Sequence, residues 1–131
     1  MTGRKGKEGS ELIEHDAFRR EGPGKRFIEP RILYLLYGKP AHGYRIVGRM
    51  EDIPLPGPLP DTGAVYRKLR QMEGKGLVTS RWEDGGSGPK RRIYSITEKG
   101  KLSMIIWVEA IEQRVSMLNR FVRLCDEKAV R

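Results

Sequence analysis

The stretch DTGAVYRKLRQMEGKGLVTSRWEDGGSGPKRRIYSITEKG, residues 61–100, decides the fold. Val65, Leu69 and Met72 recur at four- and three-residue steps, one face of a helix that runs to about Lys75. Asp61 or Thr62 caps its start, since a short oxygen-bearing side chain satisfies free N–H groups of a first turn. Arg67, Arg70 and Gln71 point away from the apolar face. Leu77 to Glu83 then alternates as a strand, with Val78 and Trp82 on one side and Trp82 expected in the core of a hairpin. Gly85-Gly86-Ser87-Gly88-Pro89 reads only as a turn, and Arg92, Tyr94 and Ile96 alternate on a returning strand. The Gly-rich tip is followed by Lys90-Arg91-Arg92.

Upstream lie two more helices. Glu29-Pro30 opens the first, because proline loses nothing in a first helical turn. Its Ile32, Leu33, Leu35 and Leu36 make it apolar nearly all round, so it belongs in the middle of a domain, and it stops at Gly38. His42-Gly43 opens the second, with Tyr44, Val47 and Met50 expected on its buried side and Arg45 and Arg49 outside. Between Ile53 and Pro60, four prolines in eight residues forbid a helix and favour a stiff connector over a docking peptide. Residues 1–26 read as a flexible N-terminal extension with a candidate short helix at 11–20.

Downstream, Met104, Val108, Ile111, Val115, Leu118, Val122 and Cys125 follow steps of four and three, a three-heptad stripe. One helix from about Glu98 to Leu124 is too long and too apolar for this small domain to cover. Val108, Ile111, Val115, Leu118 and Val122 are therefore the dimerisation candidates. The expected organisation is a domain over 27–101 and a dimerisation helix over 102–131.

The 131 residues are 37% hydrophobic and carry a net charge of +9. Residues 61–101 hold ten Lys and Arg against five Asp and Glu, so more than half of the excess sits in the quoted stretch and its helix. That argues for a polyanionic partner. No uncharged apolar run reaches the ~18 residues of a membrane span. With no secretory leader in the N-terminal residues and a single cysteine, Cys125, a reducing cytoplasm is expected. His15, His42 and Cys125 lack metal-ligand spacing, so neither metal nor cofactor is expected. Enzyme motifs are absent, and Glu73, Glu83, Asp84 and Glu98 read as surface charges. An RNA-binding module and a small metal-dependent nuclease are the alternatives; the first lacks room for a base-stacking sheet.

Helix, helix, helix, strand, basic turn, strand, long helix is the order of a mainly α (α+β) winged helix-turn-helix with a two-stranded wing. In that architecture the third helix enters the major groove and the wing lies on the neighbouring backbone. The DNA-contact candidates are Thr62, Tyr66, Arg67, Arg70 and Gln71 of the helix, with Lys90, Arg91 and Arg92 of the wing. Tyr66 either packs at the helix boundary or reaches a phosphate. Arg92 alternates with Tyr94 and covers the sheet in one reading, touches DNA in the other. His42 is expected to cap or pack. Trp107, on the long helix, reads as dimer packing.

Together, Ile32-Leu33-Tyr34-Leu35-Leu36, His42-Gly43-Tyr44, Gly63-Ala64-Val65-Tyr66-Arg67-Lys68-Leu69, Glu73-Gly74-Lys75-Gly76-Leu77-Val78, Gly88-Pro89-Lys90-Arg91-Arg92-Ile93-Tyr94 and Thr97-Glu98-Lys99-Gly100 resemble the PadR family of bacterial transcriptional regulators. The resemblance covers about residues 29–101. It implies a homodimeric winged-helix repressor that binds a two-fold symmetric double-stranded operator and dimerises through its C-terminal helix. It also tilts Tyr66 towards DNA, and it makes a small aromatic or metabolite effector near Trp107 an implied partner. Ala64, where many members have Ser or Thr, and the Pro-rich loop 54–60 depart from the family pattern.

Overall fold

The computed structural model describes residues 27–83 and 88–128. The short helix expected at 11–20, and most of the Gly-rich tip, lie outside the described residues. Two compact units divide the chain, with the boundary between Met104 and Ile105.

The first unit begins with α1 (Ile28–Leu36), β1 (Ala41–His42) and α2 (Gly43–Gly48), followed by a 3₁₀ turn at Met50–Asp52. α3 (Thr62–Gly74), β2 (Val78–Glu83) and β3 (Arg91–Ile96) come next, and α4 (Glu98–Glu127) starts within it. Its core is drawn from the first three helices: Ile32, Leu33 and Leu36 of α1, Ile46 of α2, and Val65, Leu69 and Met72 of α3, all at most 1% exposed. Each such side chain contributes roughly 1.5–3 kcal/mol on burial. α2 is shorter than its apolar spacing predicts, because the chain tightens into the 3₁₀ turn that places Met50 in the core. Tyr44 consequently does not join the core; it is 51% exposed.

The two strands of the wing, β2 and β3, are joined by β1 in a three-stranded sheet of order β1-β3-β2, and all pairs are antiparallel. β1 is only two residues long, pairing Ala41 with Tyr94 and His42 with Ile93. Among the β2–β3 pairs, Ser80 faces Tyr94, Trp82 faces Arg92 and Glu83 faces Arg91.

Two buried charges shape this unit. Arg31 is fully buried, and its guanidinium donates to the carbonyls of Met50 (3.1 Å), Ile53 (3.3 Å) and Leu55 (3.1 Å). The connector's prolines have no N–H to give. Arg31 adds side-chain donors to carbonyls of which those of Met50 and Ile53 also accept from Ile53 and Leu55 N–H, and so holds the approach to α3. Burial pulls its pKa below the ordinary guanidinium value. Glu29 on α1 accepts from Lys75 (3.4 Å) beyond the end of α3 and from Ser103 (3.5 Å) on α4.

α3 ends in a left-handed Gly76, φ 80°, with Leu77 N–H bonded to Met72 C=O and Gly76 N–H to Glu73 C=O. That is the Schellman ending, which favours glycine at this position. Thr97 then caps α4: its hydroxyl oxygen accepts from Gly100 N–H at 2.9 Å while the hydroxyl hydrogen faces the carbonyls of Gly76 and Leu77. A Cβ on Gly100 would lie 2.2 Å from the Leu77 carbonyl oxygen, so only glycine allows this approach.

In the second unit, α4 continues through Glu127, making 30 helical residues or about 45 Å at 1.5 Å per residue. Trp107 and Ala110 are buried at 2% and 3% exposure. Val108, Val115, Leu118 and Val122 are 40–59% exposed, and Met117, Phe121 and Leu124 extend the bare apolar surface. Ile111 and Cys125 are half-buried. Among the described residues no helix is long and apolar enough to cross a membrane.

Candidate nucleic-acid interface

The Asp61 carboxylate caps α3 by accepting from Ala64 N–H at 2.7 Å, leaving Thr62 as the first helical residue, exposed. With Val65, Leu69 and Met72 turned inward, helical geometry puts Arg67, Arg70 and Gln71 outward, and all three are exposed. The Arg67 guanidinium lies along the first turn, 3.2 Å from where a Cβ on Gly63 would stand. Lys68 donates to the Gln71 side-chain oxygen at 2.9 Å. The outward face therefore carries several donors within two turns.

Tyr66, left open between packing and DNA contact, is half-buried. Its ring lies against Gly43: a Cβ there would stand 2.6 Å from the ring and 3.0 Å from the hydroxyl oxygen. The glycine of His42-Gly43-Tyr44 is thus the place where α2 makes room for α3. His42 makes no capping bond from its side chain; instead its Nε2 lies 2.6 Å from Glu83 Oε1. Its ring also stacks on Tyr44, centroids 5.4 Å apart. Packing, not capping, describes it.

A cleft of about 430 Å³ opens between α3 and the sheet. Tyr44, Tyr66, Trp82 and Tyr94 give it aromatic walls, and Arg70, Arg91 and Arg92 give it positive charge, with Glu73 the one acid among the described residues of its lining. Arg91 sits over the Tyr44 ring at 5.3 Å and donates to its hydroxyl at 3.3 Å. Arg92 sits over Trp82 at 4.8 Å and donates through Nε to the Ser80 hydroxyl oxygen at 2.9 Å. Arginine over an aromatic face is attracted by the negative face of the ring. Trp82 is thus not hairpin core: it is 58% exposed, because its side of β2 opens into this cleft. Tyr94 opposite Ser80 is buried, and burial first, then the Glu73 charge, pushes its phenol pKa above the ordinary value, against a lowering by Arg92.

Of the predicted contact residues, Tyr66, Arg70, Arg91 and Arg92 meet in the cleft. Thr62, Arg67, Gln71 and Lys90 are exposed outside its lining. Sequence reading missed Tyr44, Trp82, Ser80 and Glu73 as members of this cluster. The only available signal was cross-strand spacing, which sets Trp82 against Arg92 once the hairpin register is known. A second cleft, about 440 Å³, gathers Lys39, His42, Arg45 and Arg49 with Ile93, and Arg49 is paired with Asp52 at 3.1 Å. Among the described residues no group of three or more His, Cys, Asp or Glu could hold a metal ion.

Three helices, a hairpin wing and a polar, arginine-bearing third helix define a winged helix-turn-helix. The family model of the transcriptional regulator PadR-like family matches residues 32–104. The chain belongs to that family. A PadR family transcription regulator from Clostridium difficile R20291 shares 26% identity at a TM-score of 0.64, over 73% of this chain and 98% of that one. Bacillus subtilis PadR, solved in complex with operator DNA, has the same fold at 23% identity and a TM-score of 0.57, over 63% of this chain and 47% of that one. Transcriptional regulator YqjI of Escherichia coli K12 is 28% identical over 92 residues, 70% of this chain. The match spans only 41% of YqjI.

Proposed function

We propose that this chain is a sequence-specific regulator of transcription that binds double-stranded DNA as a homodimer and acts as a repressor. One observation carries the reading: the outward donors of α3 stand beside a cleft where Arg70, Arg91 and Arg92 converge. In this reading Arg67, Arg70 and Gln71 read base edges in the major groove, and Lys90 and Arg91 hold phosphates. Thr62 touches backbone at the helix start, and Tyr66 lends its hydroxyl while its ring packs on Gly43. The operator complex of the Bacillus subtilis relative supports this use of the fold. The function is binding, not catalysis, in a cytoplasmic setting.

Residues 27–101 form the reading domain, and 102–131 the dimer element. The exposed Val108, Val115, Leu118 and Val122, with half-buried Ile111, support pairing of two α4 helices. Two heads then meet two half-sites, which a two-fold symmetric operator supplies. A small effector acts by shifting the population of dimer geometries. The burial of Trp107 at 2% exposure supports a packing role for it rather than ligand contact.

Selection of duplexes from a random DNA pool, followed by footprinting of the winner, tests the reading. A palindromic site protected in two half-sites about one helical turn or a multiple apart is the expected result. Enrichment of RNA instead, or DNA cleavage that follows added metal, would refute it.

A further inference from the structure

Glu73, an acid lining the cleft, stands on α3 among arginines. A carboxylate on a face that meets phosphates repels them, so its presence there calls for a reason. Its Oε2 accepts from the Ser80 hydroxyl at 2.8 Å, and the same hydroxyl oxygen accepts from Arg92 Nε at 2.9 Å. A hydroxyl has one hydrogen to give. Accepting from the guanidinium turns that hydrogen to the carboxylate, so the chain runs in one direction from Arg92 through Ser80 to Glu73. Meanwhile Trp82, directly across from Arg92 in the register, supports the guanidinium from its ring face at 4.8 Å.

We infer that Glu73 is a positioning residue for Arg92, acting through the Ser80 hydroxyl, so that the reading helix itself sets where the arginine of the wing strand points. Arg92 is a long exposed side chain that would otherwise sample many rotamers. Bonded at Nε and stacked at its face, it keeps its terminal nitrogens available while its direction is held. Arg91 is steadied by Tyr44 of α2, so the two adjacent arginines answer to different helices. The consequence for DNA rests on the function proposed above; the hydrogen-bonded chain stands on geometry alone.

The free protein gives the first test. By NMR, the Arg92 Nε–H should be a resolved resonance, displaced by the Trp82 ring and slow to exchange. Ser80→Ala and Glu73→Met should return it to the position of a free arginine. Glu73→Gln keeps an acceptor for the hydroxyl and should retain most of the displacement. All three variants should melt near the wild-type temperature. On the selected operator, Glu73→Met and Ser80→Ala should each weaken binding about fivefold, with no further loss in an Arg92→Ala background. An Arg92 resonance indifferent to Glu73→Met would overturn the inference. So would tighter binding of Glu73→Met to operator and scrambled DNA alike, since Glu73 would then act only as a repelling charge. If the resonance responds as described but the wild type prefers no duplex, the DNA reading fails and the positioning role stands.

Discussion

α3 and the second half of α4 have similar helical patterning and opposite fates. In α3, Val65, Leu69 and Met72 are fully buried by residues of their own unit. In α4, Val115, Leu118 and Val122 recur with the same three- and four-residue steps yet remain 40–59% exposed. Periodicity therefore states that a face must be covered. It does not state by what. The first face is covered by α1, α2 and the sheet; the second is the surface assigned above to a second copy.

The largest effect is expected at Leu69. Leu69→Ala should cost about 2–5 kcal/mol, the range for removing buried leucine, with an unfolding midpoint in urea that drops equally at low and high protein concentration. A shift below ~1 kcal/mol would mean that the α3 face is less tightly packed than its burial indicates.

Leu118→Asp probes the other helix. An exposed substitution in a lone chain is worth about ±0.5 kcal/mol, whereas a charge placed between two helices should dissociate them. Sedimentation at tens of micromolar should show a wild-type dimer and a variant shifted to monomer. The wild-type melting temperature should also rise with concentration. A monomeric wild type would remove the second copy as the cover of α4.

The outward side of α3 sharpens the contrast between reading and holding. At least one of Arg67→Ala and Arg70→Ala should lose about 1–3 kcal/mol of preference for operator over scrambled DNA. Lys90→Ala should weaken both duplexes alike and lower the salt slope by about one. Titrations at several salt concentrations separate the two behaviours; equal losses on both duplexes for all three variants would deny base reading to α3.

The smallest effect belongs to Tyr94. Its phenol pKa is raised above the ordinary 10.0 in the folded chain, so the folded state keeps a proton that the unfolded state releases. That contribution to stability is whole below the ordinary value and is lost as pH rises through the raised one. Melting temperatures taken above pH 9 should fall less steeply in Tyr94→Phe than in wild type. Parallel slopes would show that another group governs the alkaline limb.

Much of this architecture was readable in advance, for physical reasons. The helices announce themselves through apolar spacing, Pro30, the capping residues Asp61 and Thr62, and the stop at Gly38. The misreadings share a cause: they depend on partners far away in the chain. β1 is two residues long and has no period to detect; it exists because β3 offers it an edge. Helical spacing puts Tyr44 on the buried side of α2 and strand alternation puts Trp82 in the hairpin core, but each instead offers a ring face to an arginine. Nothing in the sequence marks Arg31 and Glu29 as buried, because charge usually lies at the surface, while here the carbonyls of the connector and Lys75 supply buried partners. At the cleft, the basic residues were legible from composition, but Ser80 and Glu73 became meaningful only with the strand register.

The arginine beneath the proline connector also provides a chemical clock. Phenylglyoxal and similar dicarbonyl reagents attack guanidinium groups that solvent can reach. Arg45, Arg49, Arg67, Arg70, Arg91 and Arg92 are exposed, whereas Arg31 is sealed by its three carbonyls. In a labelling experiment followed by mass spectrometry, adducts should accumulate on the surface arginines first and reach Arg31 only when the core opens. Within the same molecule, Arg31 then reports opening of the core, which bound DNA slows by stabilising the folded state, while the surface arginines report direct cover.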